Sequence, residues 1–170
     1  LSKLVCGSYG TLVALTEITF KVLPHPVESA TLVIHNLKLE MAIDLLDRSI
    51  SSSNDISGAT FFPTEPKCTG CTMNIEATFK LNDLKYGGSF TAIRIEGTKN
   101  SVNERVKNLM NELKIIEYDV SILSTHQSEI FWNKVKNLEV FSSTKNNIIR
   151  IVIPPSHCVQ LLYQLTAAKF

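Results

Sequence analysis

The sequence predicts an α+β fold in which a mixed or antiparallel sheet has helices on one face. Short runs of alternating or β-branched residues are interspersed with segments whose apolar residues recur every three to four positions. The connections include both hairpin-type turns and helices, which is typical of a sheet covered by helices on one side. We therefore expect an α+β sandwich with a split β-α-β unit of the ferredoxin-like kind.

The chain opens with a polar turn between two apolar runs. Residues 7–11 read Gly-Ser-Tyr-Gly-Thr, and the loosely alternating residues 12–23 end at Pro24. Because proline cannot continue a central strand, we predict a turn followed by one strand. The glycines Gly7 and Gly10 indicate either a tight turn or a close approach of the backbone to a ligand.

Strands and helices follow in alternation. The predicted strands are residues 30–37, 56–62, 73–81, 89–97, 117–123 and 147–153. Four helices are predicted. Two cover residues 39–50 and 127–138, and the other two begin at Ser101 and Ser156. Ser101 and Glu104 have capping-box spacing, and residues 82–88 predict a hairpin turn. The apolar stripes of the helices are Leu39, Ala42, Ile43, Leu46 and Ile50; Val102, Val106, Leu109, Met110 and Leu113; Phe131, Val135 and Leu138, with Trp132 beside them; and Val159, Leu162, Tyr163 and Thr166.

Composition and charge argue against several classes of function. The 170 residues carry a formal net charge of +1. Basic residues are interleaved with acidic ones, so we expect neither nucleic-acid binding nor attraction to an anionic membrane. No apolar run approaches the ~20 residues of a membrane-spanning helix. We expect a soluble, intracellular protein.

The cysteines do not predict a metal site. Cys68 and Cys71 form the only C-x-x-C pair, while Cys6 and Cys158 stand alone. A structural zinc site needs a second such pair or two suitably spaced histidines, and the four histidines are scattered. We predict reduced thiols in a loop, with a surface disulfide as the alternative, and no metal.

Arg94 and Arg150 are candidate ligand-binding cations. Alternation in residues 89–97 places Arg94 and Glu96 on one face of the strand and Ile93 and Ile95 on the helix-covered face. With helices on one side only, Arg94 and Arg150 would line the open side of the sheet. The alternative is a solvated or salt-bridged pair of Arg94 with Glu96, which contributes little to the stability of the fold.

The clearest motif lies in residues 3–26, KLVCGSYGTLVALTEITFKVLPHP. It resembles the closing segment of the PCMH-type FAD-binding domain in FAD-linked oxidases of the vanillyl-alcohol-oxidase type. Tyr9 between the glycines, and Pro24-His25-Pro26 after the predicted strand, are most similar to the FAD-binding subunits of glycolate oxidases. The resemblance implies that the residues at the flavin nucleotide are Gly7, Ser8, Gly10, Thr11, Leu12 and, near the adenine, Ala14. Val13 stands where the family has a glycine, and its Cβ narrows the nucleotide site.

The resemblance also includes the arginines. Arg94-Ile95-Glu96-Gly97 is similar to a strand ending of the family, and Arg150 matches its Trp-Arg position, although Ile149 replaces the tryptophan. A 2-hydroxy acid needs a fixed cation for its carboxylate, and guanidinium provides a planar two-point clamp. Arg94 or Arg150 is therefore the expected substrate clamp.

The catalytic residues are unknown. In this family the flavin takes a hydride while a base removes the hydroxyl proton. His126 and His157 lie at predicted helix starts, where a cap or surface role is commoner. Glu117 and Asp119 are expected to face solvent, so none of these residues is a convincing base.

The resemblance divides the chain into the tail of an FAD-binding domain, residues 1–26, and a cap domain, residues 27–170, truncated at its C-terminus. Because the chain starts inside the motif, we expect an internal piece that is inactive in isolation. The parent would be an FAD-dependent oxidoreductase that converts glycolate to glyoxylate. Its partners would be a second flavin subunit and an iron–sulfur subunit, in the cytoplasm or peripherally at the inner membrane.

Two alternatives to this function remain. One is a D-lactate-type FAD-linked dehydrogenase, which is disfavoured because Tyr9 replaces an acidic residue usual in that branch. The other is a non-catalytic module that docks a partner subunit, or the relic of a split gene.

Overall fold

The structure is a computed structural model that describes residues 2–22, 24–63, 79, 88–141 and 148–167. Its strands are β1 (Glu28–His35), β2 (Ile56–Phe62), β3 (Phe90–Gly97) and β4 (Val120–Leu123). Its helices are α1 (Ser2–Val5), α2 (Leu39–Ser51), α3 (Lys99–Glu112), α4 (Thr125–Lys136) and α5 (Pro155–Ala167). Short 3-10 turns lie at Ile115–Glu117 and Glu139–Phe141.

Some predicted features lie outside the described residues. They are the cysteine pair Cys68 and Cys71, most of the strand 73–81 and most of the turn 82–88. Phe79, which is described, has helical backbone and a buried side chain rather than a strand conformation.

The four described strands form one antiparallel sheet in the order β2-β3-β1-β4. In the central ladder, Glu28 pairs with Gly97 and His35 pairs with Phe90. α2 follows β1 and α3 follows β3, so each helical connection passes over one intervening strand. The α+β class and the antiparallel sheet are thus confirmed.

α2 and α3 cover one face of this sheet. Leu32 and Ile34 of β1 and Ile93 and Ile95 of β3 are fully buried on that face. They pack against apolar residues of the two helices, which include Ala42, Leu45, Val102, Val106 and Leu109. The predicted inner face of β3 and the predicted stripe of α3 are therefore confirmed.

The buried stripe of α2 differs from the prediction. Ala42, Leu45 and Ser49 are buried, whereas Ile50 is 63% exposed. Ser49 can lie inside because its hydroxyl donates a hydrogen bond to the Leu45 carbonyl at 2.6 Å, so its polar atom is satisfied within the helix.

The prediction that helices cover only one face is wrong. α4 packs on the opposite face, where Phe131 is buried against Val33 of β1 and Ala92 of β3. Phe79 stacks on Phe131 there, with ring centroids 4.6 Å apart. Consecutive apolar residues at positions 32–34 of β1 supply both faces, as expected for a strand buried on both sides.

The starts of α3 and α4 differ from the prediction. α3 begins at Lys99, before Ser101, so the Ser101–Glu104 capping box does not form. The capping box lies instead at the start of α4, where Gln127 Oε1 accepts a hydrogen bond from the Ser124 backbone N–H at 2.9 Å. α4 therefore begins two residues earlier than predicted.

Two predicted strands are not formed. The described part of residues 12–23 and residues 148–153 have no regular secondary structure, and most of their apolar side chains are exposed, as in Val22 (79%), Ile149 (80%) and Val152 (81%). A strand needs a neighbour for its backbone groups, and none of the four described strands pairs with either segment. β-propensity alone therefore does not decide their structure.

α5 confirms the predicted last helix and contacts α2. The Tyr163 hydroxyl donates a hydrogen bond to the Glu40 carboxylate. This bond lowers the pKa of Glu40 and raises the pKa of Tyr163, because it favours the charged carboxylate and the neutral phenol. Among the described residues, no helix has the length and hydrophobicity needed to cross a bilayer.

Candidate functional site

The candidate site is built around Arg94, which a β-bulge holds in place. β2 pairs with β3 through a register shift between Ile56 and Gly58, so Ser57 lies at an irregular position beside Arg94. The Ser57 hydroxyl accepts a hydrogen bond from Arg94 Nε at 3.2 Å and lies 3.2 Å from the Arg94 carbonyl. Bulges often redirect side chains next to functional sites, and this one anchors the inner end of the guanidinium.

Two further side chains fix the outer part of this guanidinium. Arg94 Nη2 lies 3.3 Å from Glu96 Oε2, and the two side chains are only 25% and 24% exposed. The Arg94 Cζ atom lies 5.0 Å from the centroid of the Trp132 ring, which is a cation–π distance. The contacts of Arg94 within the described part of the chain therefore leave its Nη1 group available.

The Trp132 side chain is held by a hydrogen bond and by close packing. Its indole N–H donates a hydrogen bond to Thr31 Oγ1 at 2.9 Å, and Thr31 Oγ1 lies 2.6 Å from Ser128 Oγ. A Cβ added to Gly58 would lie 3.1 Å from the indole ring, so the glycine provides the space that the ring fills. Trp132 thus forms a rigid platform under Arg94.

A cleft of about 560 Å³ opens beside this pair, between α4 and the β1–β3 ladder. The cleft is lined by polar, charged and aromatic side chains, which include Arg94, Glu96, Trp132, Ser29, Thr125, His25, Glu129 and Lys136. Its charged groups include both signs, so the cleft is suited to a small polar ligand rather than to a polyanion.

Ser29 forms a polar part of the cleft wall. It pairs directly with Glu96 in the β1–β3 ladder and is 6% exposed. Its buried hydroxyl has no hydrogen-bond partner among the described residues. Since an unsatisfied buried hydroxyl is costly, a bound molecule is a natural partner for it.

The structure separates the two predicted arginines by environment. Arg94 lines the cleft, whereas Arg150 lies in the exposed irregular segment 148–153 and does not line it. The strand that was expected to carry Arg150 is not formed, so the prediction of a shared cationic face is wrong. Nor is that face open, because α4 covers it beside Arg94.

The predicted nucleotide residues form a compact turn. Gly7 and Gly10 have φ values of +82° and +76°, which glycine adopts without strain. The Thr11 hydroxyl and backbone N–H both donate to the Ser8 carbonyl, at 2.6 and 3.0 Å. A Cβ at either glycine would meet nothing within 4 Å, so the turn presents open backbone.

A second cavity of about 510 Å³, more open to solvent, lies at this turn. It is lined by Ser8, Gly10 and Ala14, together with Val5, Tyr9, Val13 and Leu15. Thr11 and Leu12, also predicted at the nucleotide, do not line it. Leu12 is 56% exposed, and most of its neighbours in the chain are also exposed.

The remaining candidates do not converge on the Arg94 cleft. His126 and His157 lie in the first turns of α4 and α5, close to their predicted places at helix starts. Glu117 and Asp119 are exposed, as predicted, but precede β4 instead of alternating within it. Cys6 and Cys158 are free thiols. No metal-binding group of three suitable side chains occurs within the described residues.

Several residues of the site were not predicted. Ser57 depends on a bulge, which periodicity does not reveal, and Ser29 depends on the strand register. Trp132 is predicted only to lie beside the apolar stripe of its helix, although a single tryptophan in a 170-residue chain is a reasonable place to look for a binding platform.

No family model matches the chain, and no curated protein is significantly similar to it.

Proposed function

We propose that this chain is part of an FAD-dependent 2-hydroxy acid oxidoreductase, of the kind represented by the FAD-binding subunits of glycolate oxidases. The observation that carries the proposal is Arg94, whose guanidinium is held by Ser57, Glu96 and Trp132 at the wall of a cleft. A fixed guanidinium whose Nη1 group is available can bind a small carboxylate. The substrate clamp is therefore assigned to Arg94 and not to Arg150.

The turn of residues 7–11 supports the cofactor in this proposal. Its positive φ values and open glycine backbone fit one wall of a nucleotide site, where a backbone can approach a ligand closely. The residues that would contact FAD are Gly7, Ser8, Gly10, Thr11, Leu12 and Ala14. Bound FAD would supply the hydride acceptor, while Arg94 would bind and orient the substrate carboxylate.

The strand order supports the cap-domain part of the proposal. An antiparallel sheet in the order β2-β3-β1-β4, with α2 and α3 on one face, is compatible with a ferredoxin-like split β-α-β arrangement. In this proposal residues 27–170 form a cap over the flavin. The second flavin subunit and the iron–sulfur subunit would be its partners, in the cytoplasm or at the surface of the inner membrane.

A titration of the chain with FAD tests the cofactor assignment. Flavin fluorescence should saturate at one FAD per chain. Val13→Gly, which restores the family's glycine at a side chain already 44% exposed, should tighten binding several-fold. Val22→Gly is the matched control, because it makes the same substitution at an exposed valine of the same segment that does not line the cavity at the turn, and it should not tighten binding.

Absence of FAD binding in both the wild type and Val13→Gly would contradict the cofactor assignment. It would favour the second candidate function, a non-catalytic module that docks a partner subunit. That candidate has one observation in its favour, namely the exposed apolar side chains of Phe20 (74%) and Val22 (79%).

A further inference from the structure

Glu96 lies in the cleft beside Arg94. Its carboxylate is 3.3 Å from Arg94 Nη2, and the two residues are two positions apart on the same face of β3. Both line the cleft. Any carboxylate ligand that approaches Arg94 therefore also approaches the negative charge of Glu96.

This arrangement discriminates among anions. A simple carboxylate gains attraction to Arg94 but is repelled by Glu96 at a similar distance. A carboxylic acid with a hydrogen-bond donor on the adjacent carbon can satisfy both groups. Its carboxylate would bind Arg94 Nη1, and its donor would point toward Glu96 Oε1 or Oε2.

Ser29 adds an independent observation at the same place. It stands opposite Glu96 in the ladder, and Thr31 stands opposite Arg94, so Ser29 and Arg94 are diagonal neighbours on one face. The Ser29 hydroxyl is buried without a partner among the described residues, and Ser29 lines the cleft. With a rotation about χ1 toward the cleft, this hydroxyl would donate a hydrogen bond to a carboxylate held by Arg94.

We propose that Glu96 selects 2-hydroxy acids over simple carboxylic acids by accepting a hydrogen bond from the 2-hydroxyl group, while Arg94 and Ser29 bind the carboxylate. The proposal rests on the substrate class of the proposed function. It does not depend on flavin binding, because the Arg94 cleft and the turn of residues 7–11 are lined by different residues.

Ligand-observed NMR titrations of the 170-residue chain with glycolate, acetate and glycine test this selection. We expect glycolate to bind about tenfold more tightly than acetate, which corresponds to one charge-assisted hydrogen bond. Glu96→Gln should bind acetate more tightly than the wild type does, and the preference for glycolate should fall to about twofold. Ser29→Ala should weaken the binding of glycolate and of acetate by a similar factor.

Asp44→Asn is the matched control. Asp44 forms an exposed ion pair with Arg48 at 3.4 Å on α2, so the substitution removes the carboxylate of an arginine pair away from the cleft. It should leave both affinities and their ratio unchanged.

Equal affinities for glycolate and acetate in the wild type would overturn the role of Glu96. A preference for glycine over glycolate would overturn it too, because the donor selected would then be an ammonium group. If neither acid binds, the substrate clamp at Arg94 fails together with this proposal. A failed FAD titration with intact glycolate selection would overturn the cofactor assignment alone.

Discussion

The two faces of the sheet differ in what their side chains do. The face under α2 and α3 is a continuous apolar core that includes Leu32, Ile34, Ile93 and Ile95, all fully buried. The face under α4 is divided. An aromatic cluster around Phe131 fills one part, and a polar group around Arg94 lines the cleft in the other.

Within one sheet, the face under α2 and α3 contributes mainly to stability, and the face under α4 carries the candidate site. In β1 the apolar Leu32 points to one helical layer, while Thr31 joins the polar group on the other side. Thr31, Ser128, Trp132, Arg94, Ser57 and Glu96 are tolerated on this face because they bond to one another, as in the Thr31–Ser128 contact of 2.6 Å. The following substitutions test this contrast, from the largest expected effect to the smallest.

Leu109→Ala should be the most destabilising of these changes. Leu109 is completely buried in the core beneath α2 and α3. Its truncation removes apolar contacts and leaves a cavity, at a cost of about 2–5 kcal/mol of unfolding free energy. Urea denaturation measures the loss, and Ile116→Ala, at a side chain that is 70% exposed, is the control. Similar losses for both variants would contradict an apolar core on this face.

Thr31→Val should cost less, about 1–3 kcal/mol, because it leaves the buried Ser128 hydroxyl without its hydrogen-bond partner and the Trp132 indole N–H without its acceptor. Thr60→Val on β2, the outermost of the described strands on that side of the sheet, makes the same change at a partly exposed position and should be near neutral. Urea denaturation again provides the measurement. A neutral Thr31→Val would show that the polar group does not contribute to stability.

Gly58→Ala should disturb the platform with only a small loss of stability, on the order of 1 kcal/mol. The added Cβ would lie 3.1 Å from the indole, so the Trp132 ring must shift by a few tenths of an ångström. Trp132 is the only tryptophan, so its emission maximum and quantum yield report the shift directly. An unchanged emission spectrum would contradict the close packing of Gly58 on Trp132.

Tyr163→Phe should have the smallest effect, and one that depends on pH. The folded-state pKa of Glu40 lies below its usual 4.5, so the contribution of the bond is present above that pH and is lost as the pH falls through the folded-state pKa. The pKa of Tyr163 is raised above 10.0, so the contribution is also lost as the pH rises through that raised value.

The difference in melting temperature between wild type and Tyr163→Phe should therefore be largest between about pH 5 and pH 9. Thermal unfolding across this range measures it. A difference that does not shrink in acid would show that the Glu40 carboxylate is not the partner that matters.

Sequence patterns predicted the parts of the fold that local periodicity determines. The α3 stripe with Val102 and Leu109, and the inner face of β3 with Ile93, follow from spacing alone. The patterns failed where a partner decides the outcome. Residues 148–153 have strong β-propensity but no strand beside them among the described residues, so the side chains of residues 148–152 are exposed.

The candidate site was predicted in part for the same reason. Arg94 and Glu96 were placed on one face by alternation, and their ion pair confirms that placement. Trp132 and Ser57 contact Arg94 only because of helix packing and a bulge, and strand register alone places Ser29 beside the same cleft. These are tertiary features that no local pattern encodes.

Binding of glycolate to wild type, Arg94→Gln and Arg48→Gln is the most direct test of the proposed function. Arg48 is the matched control, because it is an arginine in an exposed carboxylate pair on α2. We expect saturable binding to the wild type and to Arg48→Gln, and at least a tenfold loss in Arg94→Gln. Equal binding to all three proteins would contradict the assignment of Arg94 as the substrate clamp.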